Sequence, residues 1–79
     1  MGLKIKKSHL ENGGWILYNP DNFDLHTHCR HKRVALVIKR NVEKRILPKS
    51  TDKRMLYSHI RVTRDKKYIK AIMDKIEQG

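Results

Sequence analysis

Along the first part of the chain, apolar and polar residues change places at every second position. Leu3 and Ile5 alternate with Lys4 and Lys6, and a second apolar run, Trp15 to Tyr18, comes after a pair of glycines. Period-two runs separated by a turn dipeptide predict two antiparallel strands. Asn12-Gly13 is the dipeptide that a type I′ turn prefers, since both central positions need φ > 0. A two-residue loop there pairs Leu10 with Trp15 and Ser8 with Leu17 on one face, leaving Ile5, His9, Ile16 and Tyr18 on the other. Asn19-Pro20-Asp21-Asn22 has the composition of a turn and ends the second strand.

From His31 to Ile46 the apolar spacing lengthens to that of a helix. At about 100° per residue, Val34, Ala35, Ile38, Val42 and Ile46 fall within a stripe about 120° wide, with Val37 beside it. Arg33, Arg40 and Lys44, at i, i+7 and i+11, gather on a different side. The β-branched run "RVALVI" also reads as a short strand, and Leu36 lies off the stripe; helix is the preferred reading. Pro48 then disfavours helical geometry at Leu47, and Ser50 or Thr51 is placed to cap the next helix. This short helix, from about Asp52 to Arg61, buries Met55, Leu56, His59 and Ile60. Val62-Thr63 interrupts it, and Thr63 caps a final helix from Arg64 to about Gln78, with Asp65 in its first turn facing the positive helix end. Tyr68, Ile69, Ile72, Met73 and Ile76 form its stripe, expected to pack against the helix that carries Val34 and Ile38. The expected architecture is α+β: an N-terminal β-hairpin packed on about three short helices. The last two resemble a helix-turn-helix pair, although their turn lacks the usual glycine.

Length limits what such a fold can do. The 79 residues make one small domain, 1–79, which buries only about 60% of its unfolded surface and has little interior for a water-excluding active site. Cys29 is the only cysteine, so no disulfide forms within the chain, and a solitary thiol suits a reducing compartment. The N-terminus lacks the apolar run of a secretory signal, and no stretch approaches the roughly 18 to 20 apolar residues of a membrane span. A cytoplasmic protein without a membrane partner is expected.

Charge changes the picture more. Nineteen Lys and Arg stand against eight acids, for +11. Residues 1–29, the hairpin and turn, are neutral, with three lysines and three acids, whereas residues 30–70 hold fifteen Lys or Arg and three acids. A neutral front on a basic helical body (30–79) should attract a polyanion. Seven of these cations are arginines, whose guanidinium groups grip phosphate with two parallel bonds. Nucleic acid, DNA or RNA, is the partner that fits best, and Arg30, Arg33, Arg40, Lys44, Arg64 and Lys67 are the residues expected to meet its phosphates. A membrane surface fits less well, because the helices set aliphatic residues rather than Trp or Phe opposite their cations. Base stacking by RNA would need exposed aromatics on the hairpin, where Trp15 and Tyr18 are the candidates and both also suit a core.

One stretch, "FDLHTHCRH", gathers three histidines and the cysteine between Phe23 and His31. Its "DLHTH" resembles the opening motif of the polymerase-and-histidinol-phosphatase metallo-phosphoesterases, whose His-x-His holds divalent metals at a strand end. The resemblance covers Asp24 to His28 alone. That family needs a barrel several times longer than this chain, with further His and Asp ligands on later strands. Zinc needs four ligands, usually in two separated pairs, and His26, His28, Cys29 and His31 are too crowded for all four to converge. Two of them could do so with His9 or His59, but nothing in the spacing requires it. A histidine-based ribonuclease would need a base and a cation, and His26 or His28 beside Arg30 meets that minimum. The preferred reading is plainer: polar residues leading into a helix N-terminus, with no cofactor, no metal and no catalytic residue. His59, on the apolar side of its helix, reads as a core histidine. The main alternative to nucleic-acid binding is a protein-interaction module or inhibitor that docks on an acidic or nucleic-acid-binding groove of a partner.

Overall fold

A computed structural model describes residues 2–9 and 13–78. Strands β1 (Lys4–Lys7), β2 (Trp15–Asn19) and β3 (Asn22–Cys29) precede helices α1 (Lys32–Lys44), α2 (Lys53–Ile60) and α3 (Lys66–Gln78). The strands form an antiparallel sheet in the order β1-β2-β3, so the fold is α+β, an N-terminal hairpin extended by one strand and followed by three helices. Among the described residues, no helix is long and apolar enough to cross a membrane.

The hairpin register differs from the expected one. Ile5 pairs with Leu17 and Lys7 with Trp15, so residues 8–14 connect the strands. The predicted Asn12-Gly13 turn and the Leu10–Trp15 pair lie outside the described residues in part, Leu10 and Asn12 being the residues concerned. The observed pairing differs from the predicted one by three positions, and an odd slip turns one strand's side chains over. It places Ile5 inward beside Leu17, where the expected register had put the two on opposite faces. Burial of Leu3, Ile5 and Leu17 together outweighs the preference of one turn dipeptide. Positive φ falls on Gly13 (71°) and Gly14 (100°). A Cβ on Gly14 would lie 2.9 Å from the carbonyl oxygen of Cys29, so the connection rests against the end of β3 only because glycine stands there.

The turn at Pro20-Asp21 is as expected, with Asn19 Oδ1 accepting from the Asp21 N–H at 2.9 Å. The next segment departs from expectation. Residues 22–29 form β3 rather than a polar lead-in to the helix, pairing Leu17 with Thr27 and Trp15 with Cys29. Thr27 and Cys29 point into the core, and α1 packs across that inner face. Leu3, Leu17, Cys29, Ala35, Ile38 and Val62 make the resulting cluster. Among the described residues, the buried Thr27 Oγ1 has no hydrogen-bond partner. An unmade hydrogen bond in a core costs about 1 to 3 kcal/mol. Thr27→Val is therefore expected to melt at the same temperature as the parent or a few degrees higher; a fall of several degrees would show a valued bond at that hydroxyl.

Helix α1 ends at Arg45, which takes a left-handed conformation (φ 57°) while the Ile46 N–H reaches back to the Asn41 carbonyl at 2.8 Å. This terminator stops the helix short of Ile46, which is exposed along with Leu36 and Val37, while Ala35 and Ile38 are buried. Helices α2 and α3 begin later than expected, at the same kind of cap. Asp52 and Asp65, rather than Ser50 or Thr51 and Thr63, accept from the first-turn N–H groups of Arg54 and of Lys67 and Tyr68. Ser50 and Thr63 instead accept from the N–H groups of Asp52 and Asp65 themselves.

Helix α3 packs chiefly on α2, not on the Val34–Ile38 face of α1. Leu56, Tyr68, Ile72 and Ile76 form a second cluster, and Val42 is the residue of α1 that touches it. Ile69 is half-buried and Met73 is 37% exposed, so the apolar stripe of α3 is narrower than the sequence suggested. Two side chains of α3 hold the α1–α2 connection. The Tyr68 hydroxyl donates to the Ile46 carbonyl at 2.7 Å, and Lys75 donates to the Pro48 carbonyl. Burial pushes the Tyr68 phenol up to about 12, so it stays a donor at any physiological pH.

Candidate nucleic-acid interface

Arg33, Arg40 and Lys44 project from α1 on the side away from the sheet, and all three are exposed. The helix has to turn this way because Ala35 and Ile38, on its other side, seal the core. Eleven residues at 1.5 Å each set Arg33 and Lys44 about 16 Å apart along a rigid helix, a length over which duplex DNA presents roughly nine charges. The stripe contains no acid. Leu36 and Val37 flank it, while Glu43 is occupied elsewhere, taking Lys39 Nζ at 2.8 Å and the Leu3 N–H at 2.8 Å. Its contact with Lys39 holds the Glu43 carboxyl below the usual carboxylate range. Among the described residues the only other ion pair is Arg45 Nε with Asp65 Oδ2 at 3.0 Å. Most cations of the helical body therefore lack an acidic partner.

The remaining predicted residues are all exposed but not all together. Arg30 lies between β3 and α1, just before the stripe, and lines a small cleft of about 240 Å³ with Trp15 and His28. Arg64 and Lys67 belong to another part of the surface, at the start of α3. The Arg45–Asp65 pair ties that point to the end of α1. Arg64 lines a cleft of about 550 Å³ whose walls also carry Asp21, Glu43, Arg45 and Asp65, a mixed-charge surface rather than a phosphate seat. The outward side of α3 is mixed too, with Lys66, Lys67 and Lys70 exposed beside Asp74 and Glu77. Helices α2 and α3 are consecutive and packed together, as the helix-turn-helix expectation required; the longest acid-free row of cations is on α1, and α2 also contains no acid.

Strand alternation takes the histidine-cysteine cluster apart. Cys29 is buried on the inner face, and burial pushes its thiol above the ordinary value, which makes it a poor nucleophile and a poor metal ligand. His26 and His28 point to the outer face, and His31 precedes α1 in extended conformation without a side-chain capping bond. Among the described residues no three His, Cys, Asp or Glu side chains come together as a metal-binding group. His59 is fully buried, with Nδ1 donating to the Met55 carbonyl at 2.7 Å and Nε2 accepting from Asn41 Nδ2 at 3.1 Å. Those partners define a neutral imidazole.

The outer sheet face carries Tyr18, one of the two expected aromatics, together with Phe23 and two histidine rings that the sequence pattern did not bring together. Register places Lys4, Lys6, Ile16, Tyr18, His26 and His28 there, and Phe23 joins them at the irregularity between Tyr18 and Asn19. Ring centroids lie 5.1 Å apart for Tyr18–Phe23, 5.8 Å for Phe23–His26 and 5.4 Å for His26–His28. Lys6 Nζ sits 4.5 Å from the Phe23 centroid and 5.3 Å from that of Tyr18. Trp15, the other expected aromatic, is on the inner side at the start of the central strand, with Lys32 Nζ 5.2 Å from its ring. A period-two signal for β3 was present in the sequence, since Leu25, Thr27 and Cys29 alternate with His26 and His28. Compared with protein-family models, curated proteins and solved structures, the chain matches none of them.

Proposed function

We propose that this chain is a small cytoplasmic nucleic-acid-binding protein that grips DNA or RNA mainly through phosphate contacts, without catalysis. The observation that carries the reading is the acid-free row Arg33, Arg40 and Lys44 on the outward side of α1. A face evolved only for solubility would mix signs, as α3 does. Arg30 extends the row, whereas Arg64 and Lys67 lie at the start of α3 on a surface of mixed charge and are not counted in it. The unpaired, buried Cys29 thiol suits a reducing compartment.

Replacing Arg33, Arg40 and Lys44 together with Gln tests this. Each phosphate contact releases a counterion, so affinity for duplex DNA falls with salt at a log–log slope of about −0.9 per contact. The triple variant is expected to bind about tenfold more weakly or worse, with a slope flatter by about 2 to 3. Its melting temperature should match the parent's, because none of the three lies on the buried side. Unchanged affinity would move the site elsewhere; a parent that binds no nucleic acid at about 50 mM salt would sink the reading.

One feature favours the alternative, a module that docks on an acidic or nucleic-acid-binding groove of another protein. Val37, Ile46 and Leu47 are each more than 40% exposed around a cleft of about 380 Å³ that Arg40, Pro48, Lys49 and Met55 complete. An apolar cleft with a basic rim suits a protein partner with an acidic border.

A further inference from the structure

Antiparallel sheets with one face in water normally keep large apolar groups on the other. Here α1 covers the inner face, and the uncovered outer face nonetheless carries Tyr18, Phe23, His26 and His28 in a connected series of rings. Phe23 is 49% exposed and His28 is exposed, so their surfaces are open to a ligand. The Phe23 and His26 rings are stacked 26° from parallel, so one face of Phe23 leans on His26 and the rest of the ring is left to solvent. Cations border the rings: Lys4 and Lys6 on β1 are both exposed, and Lys6 already lies over Phe23 and Tyr18. The paired outward positions of the three strands (Lys4, Lys6, Ile16, Tyr18, His26, His28) include no acid, the exposed Asp24 beside Phe23 lying outside the pairing.

Flat π surfaces joined to positive charge match one kind of ligand chemistry closely: a heterocyclic base that stacks, attached to a phosphate that seeks a cation. In a duplex the base faces are already stacked on one another and unavailable. In a single strand they are free, and a sheet displaying rings is a suitable platform. We propose that the outer sheet face binds unpaired bases of a single-stranded nucleic acid, with Tyr18, Phe23 and His28 as stacking surfaces and Lys4 and Lys6 holding the adjoining phosphates. This rests on the nucleic-acid reading above and adds a second surface with a different preference. The α1 row grips backbone in any form, whereas the sheet selects strands whose bases are exposed. Lysine side chains are long enough to swing from a ring to a phosphate without moving the backbone.

Fluorescence anisotropy with the full chain decides it, using labelled oligouridylate and oligothymidylate of about eight residues beside a duplex of about 20 base pairs. Phe23→Ser and, separately, His28→Ala are compared with the parent, each checked by circular dichroism and melting. Phe23→Ser is expected to weaken both single strands about tenfold while leaving duplex binding within about twofold, the loss of one stacked base. His28→Ala should show the same selectivity at about fivefold, and it carries the test if Phe23→Ser does not fold. Equal loss for the two strands assigns a base contact indifferent to sugar, and a larger loss for oligouridylate adds a 2′-hydroxyl contact; both support the proposal. A parent that binds duplex but neither single strand overturns the proposal and leaves the nucleic-acid reading standing. Binding to neither overturns both. Polyglutamate binding with the same dependence on Phe23 would overturn it in favour of an acidic peptide.

Discussion

An Ile72→Ala chain is expected to melt about 10 °C or more below the parent. Ile72 is fully buried at the centre of the cluster formed with Leu56, Tyr68 and Ile76. Cutting a buried isoleucine to alanine typically costs about 2 to 5 kcal/mol, through lost transfer energy and the cavity left behind. In a domain this small, each kcal/mol lowers the melting temperature by about 4 to 8 °C. The whole stability of such a domain is about 4 to 12 kcal/mol, so the variant gives up a large share of it. The damage should also spread. Helix α3 holds the α1–α2 connection through the Tyr68 hydroxyl and the Lys75 ammonium, and loosening it releases both. Met73→Ala is the contrasting variant. Met73 is partly exposed, so its loss should cost within about 1 kcal/mol. Thermal or urea melts of the pair read out the orientation of α3. Equal melting of Ile72→Ala and the parent would mean that the helix does not dock as described.

The second large effect is a loss of stability in mild acid through His59. Burial holds this imidazole below the ordinary histidine value of about 6.5, while the hydrogen bond to Met55 opposes the shift. The unfolded chain therefore takes up a proton near pH 6.5 when the folded one does not. Stability is full above that pH and declines as the pH falls toward the lower folded value, by up to about 1.4 kcal/mol per pH unit. Protonated Nε2 would also confront Asn41 Nδ2, donor against donor, until the amide turned over. Urea melts at pH 7.5 and pH 5 should show the parent clearly weaker at the lower value. His59→Gln should be less stable than the parent at pH 7.5, since it leaves a hole and strands the Met55 or Asn41 group. It should also lose much of the difference between the two pH values. Glu43 does not confuse the test, because its carboxyl, held low by Lys39, contributes stability that is lost only as the pH falls from the ordinary glutamate value of about 4.3 toward the lower folded one, below both test pH values. If His59→Gln keeps the parent's full pH dependence, another group is responsible.

What could be read without the structure was what short-range pattern encodes. Helices α2 and α3 arise from apolar residues at helical spacing and from the break at Pro48, and their buried residues Leu56, His59, Tyr68, Ile72 and Ile76 were all on the predicted stripes. Cap positions were less legible. Ser, Thr and Asp cap about equally well, so neighbouring candidates such as Ser50 and Asp52, or Thr63 and Asp65, cannot be ranked by propensity. Strand β3 was harder to read because its alternation is short, with one polar residue, Thr27, among the inward three, and because the register irregularity near Asn19 interrupts it.

The sequence by itself determined the order of most elements, the basic character of the helical body and the acid-free row on α1. These depend on residues within a few turns of one another, and a helix fixes their relative directions whatever it packs against. Tertiary structure alone decided the hairpin register, the separation of Cys29 from His26 and His28, the docking of α3 on α2 and the meeting of Tyr18, Phe23 and Lys6. Each of these depends on which distant residues share the core. One strand's displacement by an odd number of positions exchanges its inner and outer faces, so the burial of Leu3, Ile5 and Leu17 under α1 is what turned Lys4 and Lys6 toward the rings.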